Sequence, residues 1–226
     1  MKKLFGYFLL SVLFIGCKKE NTETQDFKPA FTTLDLTSKV PSTLQQNAPM
    51  AYSQLLEMGA FMNLGSSFMQ MTGKAPITDV SNTQWNYLDY TVTYNYNLVG
   101  NRYVYDYSIS QNGVNFYTIT GWENSDGSAG HWAFTMDASV AGAPTSDVYN
   151  ISFDWTKNSS NDYHFDMVFD MGSSQLIHYT ANINHDMSGD YAYYLNNQLS
   201  YKCNWLSNGH GQFTDYSSIP PTIQNF

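Results

Sequence analysis

The chain is poor in cysteine and poor in positive charge. Its 226 residues include 2 Cys, and 10 Lys plus Arg stand against 19 Asp plus Glu, a net charge of −9. From Ala75 onward only Arg102, Lys157 and Lys202 are basic. Proteins that hold nucleic acid neutralise its phosphates with clustered Lys and Arg. No such cluster is present, so nucleic acid is not an expected partner, and neither is direct electrostatic attachment to anionic lipid. A GxSxG nucleophile elbow, a Gly-rich phosphate loop and an HExxH pair are all missing, and no apolar run reaches the ~20 residues that span a bilayer core.

What is present begins with the amino end. Lys2 and Lys3 precede about a dozen mostly apolar residues, Leu4 to Ile15, the length of a signal-peptide core. Phe14-Ile15-Gly16-Cys17 follows, then the polar stretch Lys18 to Val40. The tetrapeptide resembles the lipobox of bacterial lipoproteins, with Phe14 where Leu is usual. The resemblance implies a signal peptide over residues 1–16, cleavage before Cys17, and lipidation of Cys17 by acyl chains such as palmitate. The expected address is the cell envelope, lipid-anchored and most simply at the outer membrane, on its periplasmic or its outer side. Several acyl chains hold a protein firmly on a membrane, whereas one barely does. An ordinary secreted protein cut elsewhere, or an uncut anchor, remains the other reading of these residues.

Losing Lys2 and Lys3 would take the net charge from −9 to −11. With Cys17 acylated, Cys203 is alone, so no intramolecular disulfide can form and the fold must rely on its core. The expected division is residues 17–40 as a flexible tether, on the order of 25 Å as coil, and residues 41–226 as one domain.

One helix is expected, from Pro49 to about Met71. Pro49 suits a first turn, and Gly73 with Pro76 ends the pattern. Ser53, Gln54, Glu57, Asn63, Ser67 and Gln70 form a polar stripe; Leu55, Met58, Met62 and Met69 belong to a wide apolar arc. Methionine adapts to irregular partners, and Gly59 and Gly65 allow close approach. The helix either packs on a sheet or lines a ligand space.

From Trp85 the period changes to two. Leu88, Tyr90, Val92, Tyr94, Tyr96 and Leu98 alternate with polar residues, and Tyr103, Tyr105, Tyr107 and Ile109 do the same before Asn112-Gly113, a type I′ hairpin signal. About nine or ten strands at short-turn spacing predict an antiparallel meander. So long a meander curls into a half-barrel or barrel, with the Met-rich helix as its only cover. The expected class is α+β, mainly β. This order of elements, over residues 45 to 216, resembles the half-barrel of periplasmic lipoprotein carriers and related outer-membrane lipoproteins.

The chemistry-bearing residues are scattered. "GWENSDGSAGHW" (121–132) and "NWLSNGHGQF" (204–213) read as hairpins with glycine turns rather than calcium loops, because the alternating ligands of an EF-hand are not in place; the two share a faint repeat. The five histidines, 131, 164, 178, 185 and 210, show no zinc spacing. Asp166 and Asp170 on one strand are too far apart, at ~13 Å, for a glycosidase pair. Neither a metal site nor a cofactor is expected.

Aromatic residues are abundant: 18 Tyr, 14 Phe and 5 Trp. Neighbours such as Phe116-Tyr117 and Tyr193-Tyr194 face opposite ways along a strand, so some aromatics must lie outside a single core. The functional expectation is a non-enzymatic binding or carrier-like module that holds an apolar or amphipathic ligand between helix and sheet, with Leu55, Met58, Met62, Met69, Tyr94 and Tyr105 lining the site. The alternatives are a surface module for a glycan or protein partner, with a fully packed interior, and a hydrolase whose site the sequence does not display.

Overall fold

The computed structural model describes residues 35–62, 80–87, 90–137, 148–172 and 175–226. Cys17, Met69 and the helix beyond Met62 lie outside the described residues.

Twelve strands form one antiparallel sheet in strict chain order. They are β1 (Val80–Tyr87), β2 (Tyr90–Val99), β3 (Arg102–Gln111), β4 (Val114–Asn124), β5 (Ala129–Asp137), β6 (Val148–Lys157), β7 (Tyr163–Asp170), β8 (Leu176–Ile183), β9 (Gly189–Leu195), β10 (Gln198–Trp205), β11 (Gly211–Asp215) and β12 (Thr222–Asn225). The sheet is a curved half-barrel rather than a closed barrel, since β1 and β12 are its two edges. The fold is mainly β with a small helical segment, as the alternation predicts. The strand count exceeds the expected nine or ten for two reasons. The run from Trp85 to Leu98 looks like one strand but is folded between Tyr87 and Tyr90, which pair with each other. β12 follows Pro220-Pro221 and is exposed throughout, so it lacks the alternation that marks a half-buried strand.

Turn chemistry sets the register. Asn112-Gly113 and Asn196-Asn197 take left-handed φ values of 52° and 78°, and 50° and 63°, as two-residue hairpins require. The turns at the other end of the sheet share a different design. Asp126, Asn158, Asp186 and Asn208 each accept the backbone N–H two residues on. In each of these turns a left-handed residue follows: Gly127, Asn161, Met187 and Gly209. The faint repeat between residues 121–132 and 204–213 is therefore one turn geometry used three times, with the left-handed residue directly after Asp126, Asp186 and Asn208; at Asn158 it comes three residues later, and a sidechain-to-backbone bond holds each of the four turns.

The helical segment lies before the sheet in sequence and on its concave face. A 3₁₀ turn (Leu36–Ser38) leads to α1 (Leu44–Asn47) and α2 (Pro49–Met62), and α2 meets β6. Leu36, Val40, Leu44, Ala51, Leu55 and Met58 are all at most 3 % exposed and join one core with Phe153, Trp155, Phe165 and Met167. The packed domain thus reaches back to Leu36, inside the stretch that reads as tether. Gly59 lies close against the incoming chain, as expected of it: a Cβ there would sit 3.0 Å from Leu36 Cδ1, so the leucine side chain would have to shift slightly to admit one. Met50, in the first turn of the same helix, is exposed. Among the described residues no helix is long and apolar enough to cross a membrane.

The convex face is polar and cross-linked from strand to strand. Thr135 donates to Asn150, and Asn182 donates to Asp190. His131 pairs with Asp154 at 2.8 Å and His178 with Asp166 at 3.0 Å, while the two aspartates stand directly opposite each other. Like charges so placed repel, and each carboxylate is offset by its own imidazole. Tyr194 stacks on His178 with centroids 5.2 Å apart, whereas its neighbour Tyr193 belongs to the concave face. The expectation of aromatics on a second surface is met here, and again where Arg102 lies 4.0 Å over the Trp122 ring.

Candidate functional site

The residues expected to line a ligand space fall in the closed part of the core. Leu55 and Met58 are fully buried, and Tyr94 and Tyr105 nearly so. Met62 is the last residue of α2. The four buried side chains form apolar wall rather than open surface, so accessible chemistry has to be sought beside the helix.

It is found over β7 to β11. Register places Met167, Tyr179, Tyr193, Tyr201 and Asp215 in one row across the concave face. Tyr191 and Phe213 flank that row, and Phe169 and Ile177 lie on its other side. The rings form a chain: Phe169 to Tyr179 at 5.7 Å, Tyr179 to Tyr193 at 5.3 Å, Tyr193 to Tyr201 at 4.9 Å, and Tyr201 to Phe213 at 5.9 Å. These spacings are close to the ~4.8 Å between strands; Tyr193, Tyr201 and Phe213 stack in succession, Tyr179 is tilted against Tyr193, and Phe169 meets Tyr179 edge-on. Tyr179 and Tyr191 are buried; Phe169, Ile177, Tyr193, Tyr201 and Phe213 are only half-buried.

Glu57 of α2 acts on this floor through its charge, at Tyr179 and Tyr191. Its side chain retains exposed surface, yet protein crowds its carboxyl enough for desolvation to raise its pKa. Glu57 and the phenols act on one another. Burial raises the Tyr179 pKa first, with further contributions from the Glu57 charge and from Tyr193 and Tyr201. The Tyr191 pKa rises for the same reasons, with burial again the largest. Tyr179, Tyr191 and Tyr193, each raised by burial first, therefore stay protonated at neutral pH. The hydroxyls of Tyr179, Tyr191, Tyr193 and Tyr201 form no hydrogen bond to the described residues. An apolar floor with a few convergent polar groups is the usual make-up of a small-ligand site, and a group of shifted titratable residues points the same way.

Two other places carry less. Beneath α2, the Trp132 and Trp155 indole N–H groups and Gln54 Oε1 are buried without partners, and Glu123 is closed off from solvent beside Gly130. A cleft of about 380 Å³ lies between Trp205, Leu206, His210 and Phe226, but Trp205 Nε1 is already bonded to the Met187 carbonyl and no set of free polar groups converges there. Among the described residues no group of three or more His, Cys, Asp or Glu could hold a metal ion.

Sequence reasoning missed the cluster. Glu57 reads as one more residue of the polar helix stripe, and the tyrosines as ordinary strand residues. The available signal was the same-face spacing Tyr191-x-Tyr193. That Tyr179 and Tyr201 flank this pair is a consequence of register and is not written locally. No family model matches the chain, no curated protein is similar to it in sequence, and no solved structure matches it.

Proposed function

We propose that this protein is a lipid-anchored lipoprotein of the bacterial cell envelope whose half-barrel binds an amphipathic ligand. The observation that carries the reading is the half-open aromatic floor, a continuous row of rings from Phe169 through Tyr179, Tyr193 and Tyr201 to Phe213. The ligand's apolar part lies along Phe169, Ile177, Tyr193 and Phe213, and its polar group meets the hydroxyls. Burying one methylene on such a floor contributes ~0.8 kcal/mol, so a chain of several carbons gives useful affinity before any polar contact. The anchor is Cys17, on the strength of residues 2–17.

Two measurements test this. Cys17→Ser in the full chain should abolish lipid labelling and move the protein from the membrane to the soluble fraction; persistence in the membrane fraction refutes the anchor. Native mass spectrometry of the soluble Cys17→Ser protein should show a co-purifying amphiphile. In a Tyr193→Phe/Tyr201→Phe background that adduct should fall several-fold, because the stack remains while two hydroxyls go. An adduct of unchanged abundance in that variant places binding elsewhere.

A further inference from the structure

We infer that the concave floor takes a two-armed amphiphile, one whose hydrogen-bonding group, an amide or an ester, lies in the middle of the molecule with an apolar arm on either side. This rests on the ligand-binding reading above and names the chemical class of the ligand.

The order of the rings selects this class. From β7 to β11 the rings in contact are Phe169, Tyr179, Tyr193, Tyr201 and Phe213. Phenyl rings therefore stand at both ends of the row and phenols between them. Side chains stand roughly perpendicular to a sheet, so each phenol carries its hydroxyl at the tip that faces the concave space. Phe169 and Phe213 offer hydrocarbon alone, and Ile177, opposite Phe169, widens the apolar end at β7. The three phenols span two strand spacings, ~10 Å. An amphiphile with its polar group at one terminus would lay its chain over hydroxyls left unpaired. A polar group in mid-molecule meets the hydroxyls and sends one arm to each phenyl end.

Tyr179 is 8 % exposed, and Tyr193 and Tyr201 are half-buried. None of the three hydroxyls has a hydrogen-bond partner among the described residues. Tyr201 lies between Tyr193 and Phe213 with planes 21° and 26° apart. Both of its faces are covered, and the hydroxyl tip is what it offers. A phenol donates and accepts, as an amide does, while an ester accepts. Register makes Asp215 the one Asp, Glu, Lys, Arg or His among the concave positions of β7 to β11, and its carboxylate accepts the Ser217 backbone N–H at 2.7 Å. Lys39, after the 3₁₀ turn, and Glu57 of α2 bond to none of the three hydroxyls.

The test uses two isomers, N-pentylpentanamide with its amide in mid-chain and decanamide with its amide at the end, each titrated calorimetrically into the Cys17→Ser protein below its solubility limit. N-pentylpentanamide should bind about tenfold tighter, the yield of one or two hydrogen bonds. Tyr193→Phe/Tyr201→Phe keeps the rings and should bring the two isomers to equal affinity. Tyr194→Phe, on the convex face, should leave the difference intact. Equal affinity of the isomers for the parent protein, or a difference that survives in Tyr193→Phe/Tyr201→Phe, overturns the two-armed assignment and leaves the floor standing as a binding site. Tighter binding of decanoate or decylammonium than of N-pentylpentanamide also overturns it, because Lys39 or Glu57 then supplies the polar contact. No binding of any of these probes overturns the ligand-binding reading as well.

Discussion

Tyr193 and Tyr201 stack across β9 and β10 with ring centroids 4.9 Å apart and planes 21° from parallel. Both belong to the half-open part of the concave face, so their contact serves the site and the sheet together. Tyr201→Phe keeps the ring and removes a hydroxyl that has no partner among the described residues; stability should change by less than ~0.5 kcal/mol. Tyr201→Leu removes the stack and should cost ~0.5–1.5 kcal/mol beyond the lost burial. Urea midpoints of the two variants separate the ring's contribution from the hydroxyl's.

Gly130 and Trp155 face each other across β5 and β6. A Cβ built on Gly130 would overlap Cη2 and Cζ2 of the indole, and Trp155 cannot retreat because it stacks on Phe153 at 5.7 Å. Gly130→Ala should therefore destabilise by ~1–3 kcal/mol or more. Gly59→Ala meets only the movable end of Leu36, in a helix where alanine gains up to ~1 kcal/mol over glycine, and should be far milder. Equal losses in denaturant unfolding would contradict this account of Gly130.

Asp162 ties two neighbouring turns. Its carboxylate accepts from Asn158 Nδ2, from the His185 backbone N–H and from the His185 ring. These bonds, that of Asn158 first, hold its pKa at about 2 instead of 3.8. A depressed folded-state pKa stabilises above the ordinary value and is lost as pH falls through the folded one. Wild type should thus exceed Asp162→Ala in stability at pH 7, with the gap closing between pH 3.8 and about 2. Carboxyl titration by NMR should place the Asp162 midpoint near the lower value.

Cys203 is fully buried, and desolvation pushes its thiol up to about 12. A thiol in that state is neither deprotonated nor reachable at pH 8. An aromatic disulfide reagent should leave it unmodified in the native protein and react fully in denaturant. The rate through native conditions should follow global unfolding, because Cys203 lies opposite Phe213 and Tyr191 in mid-sheet.

Period-two alternation from Tyr90 to Phe213, with Asn-Gly and Asx turns, was enough to write the antiparallel meander and to put a Met-bearing helix on it. That information is local: side chains alternate, and a two-residue turn dictates which strand follows. It failed where local cues ran out, at the turn between Tyr87 and Tyr90 and at the short exposed β12 after two prolines.

The site was decided elsewhere. Leu55 and Met58 look like candidates for a ligand face because they are apolar and adaptable, but depth of burial depends on how far a helix sinks into a curved sheet, and no window of sequence encodes that. Tyr179, Tyr191 and Tyr201 are separated along the chain and come together through register. What the amino-acid order determined by itself was the period, the turns and the sign of the charge; which tyrosines line up on a half-open floor was decided only by the pairing register of β8, β9 and β10, because convergence is a property of distances in space.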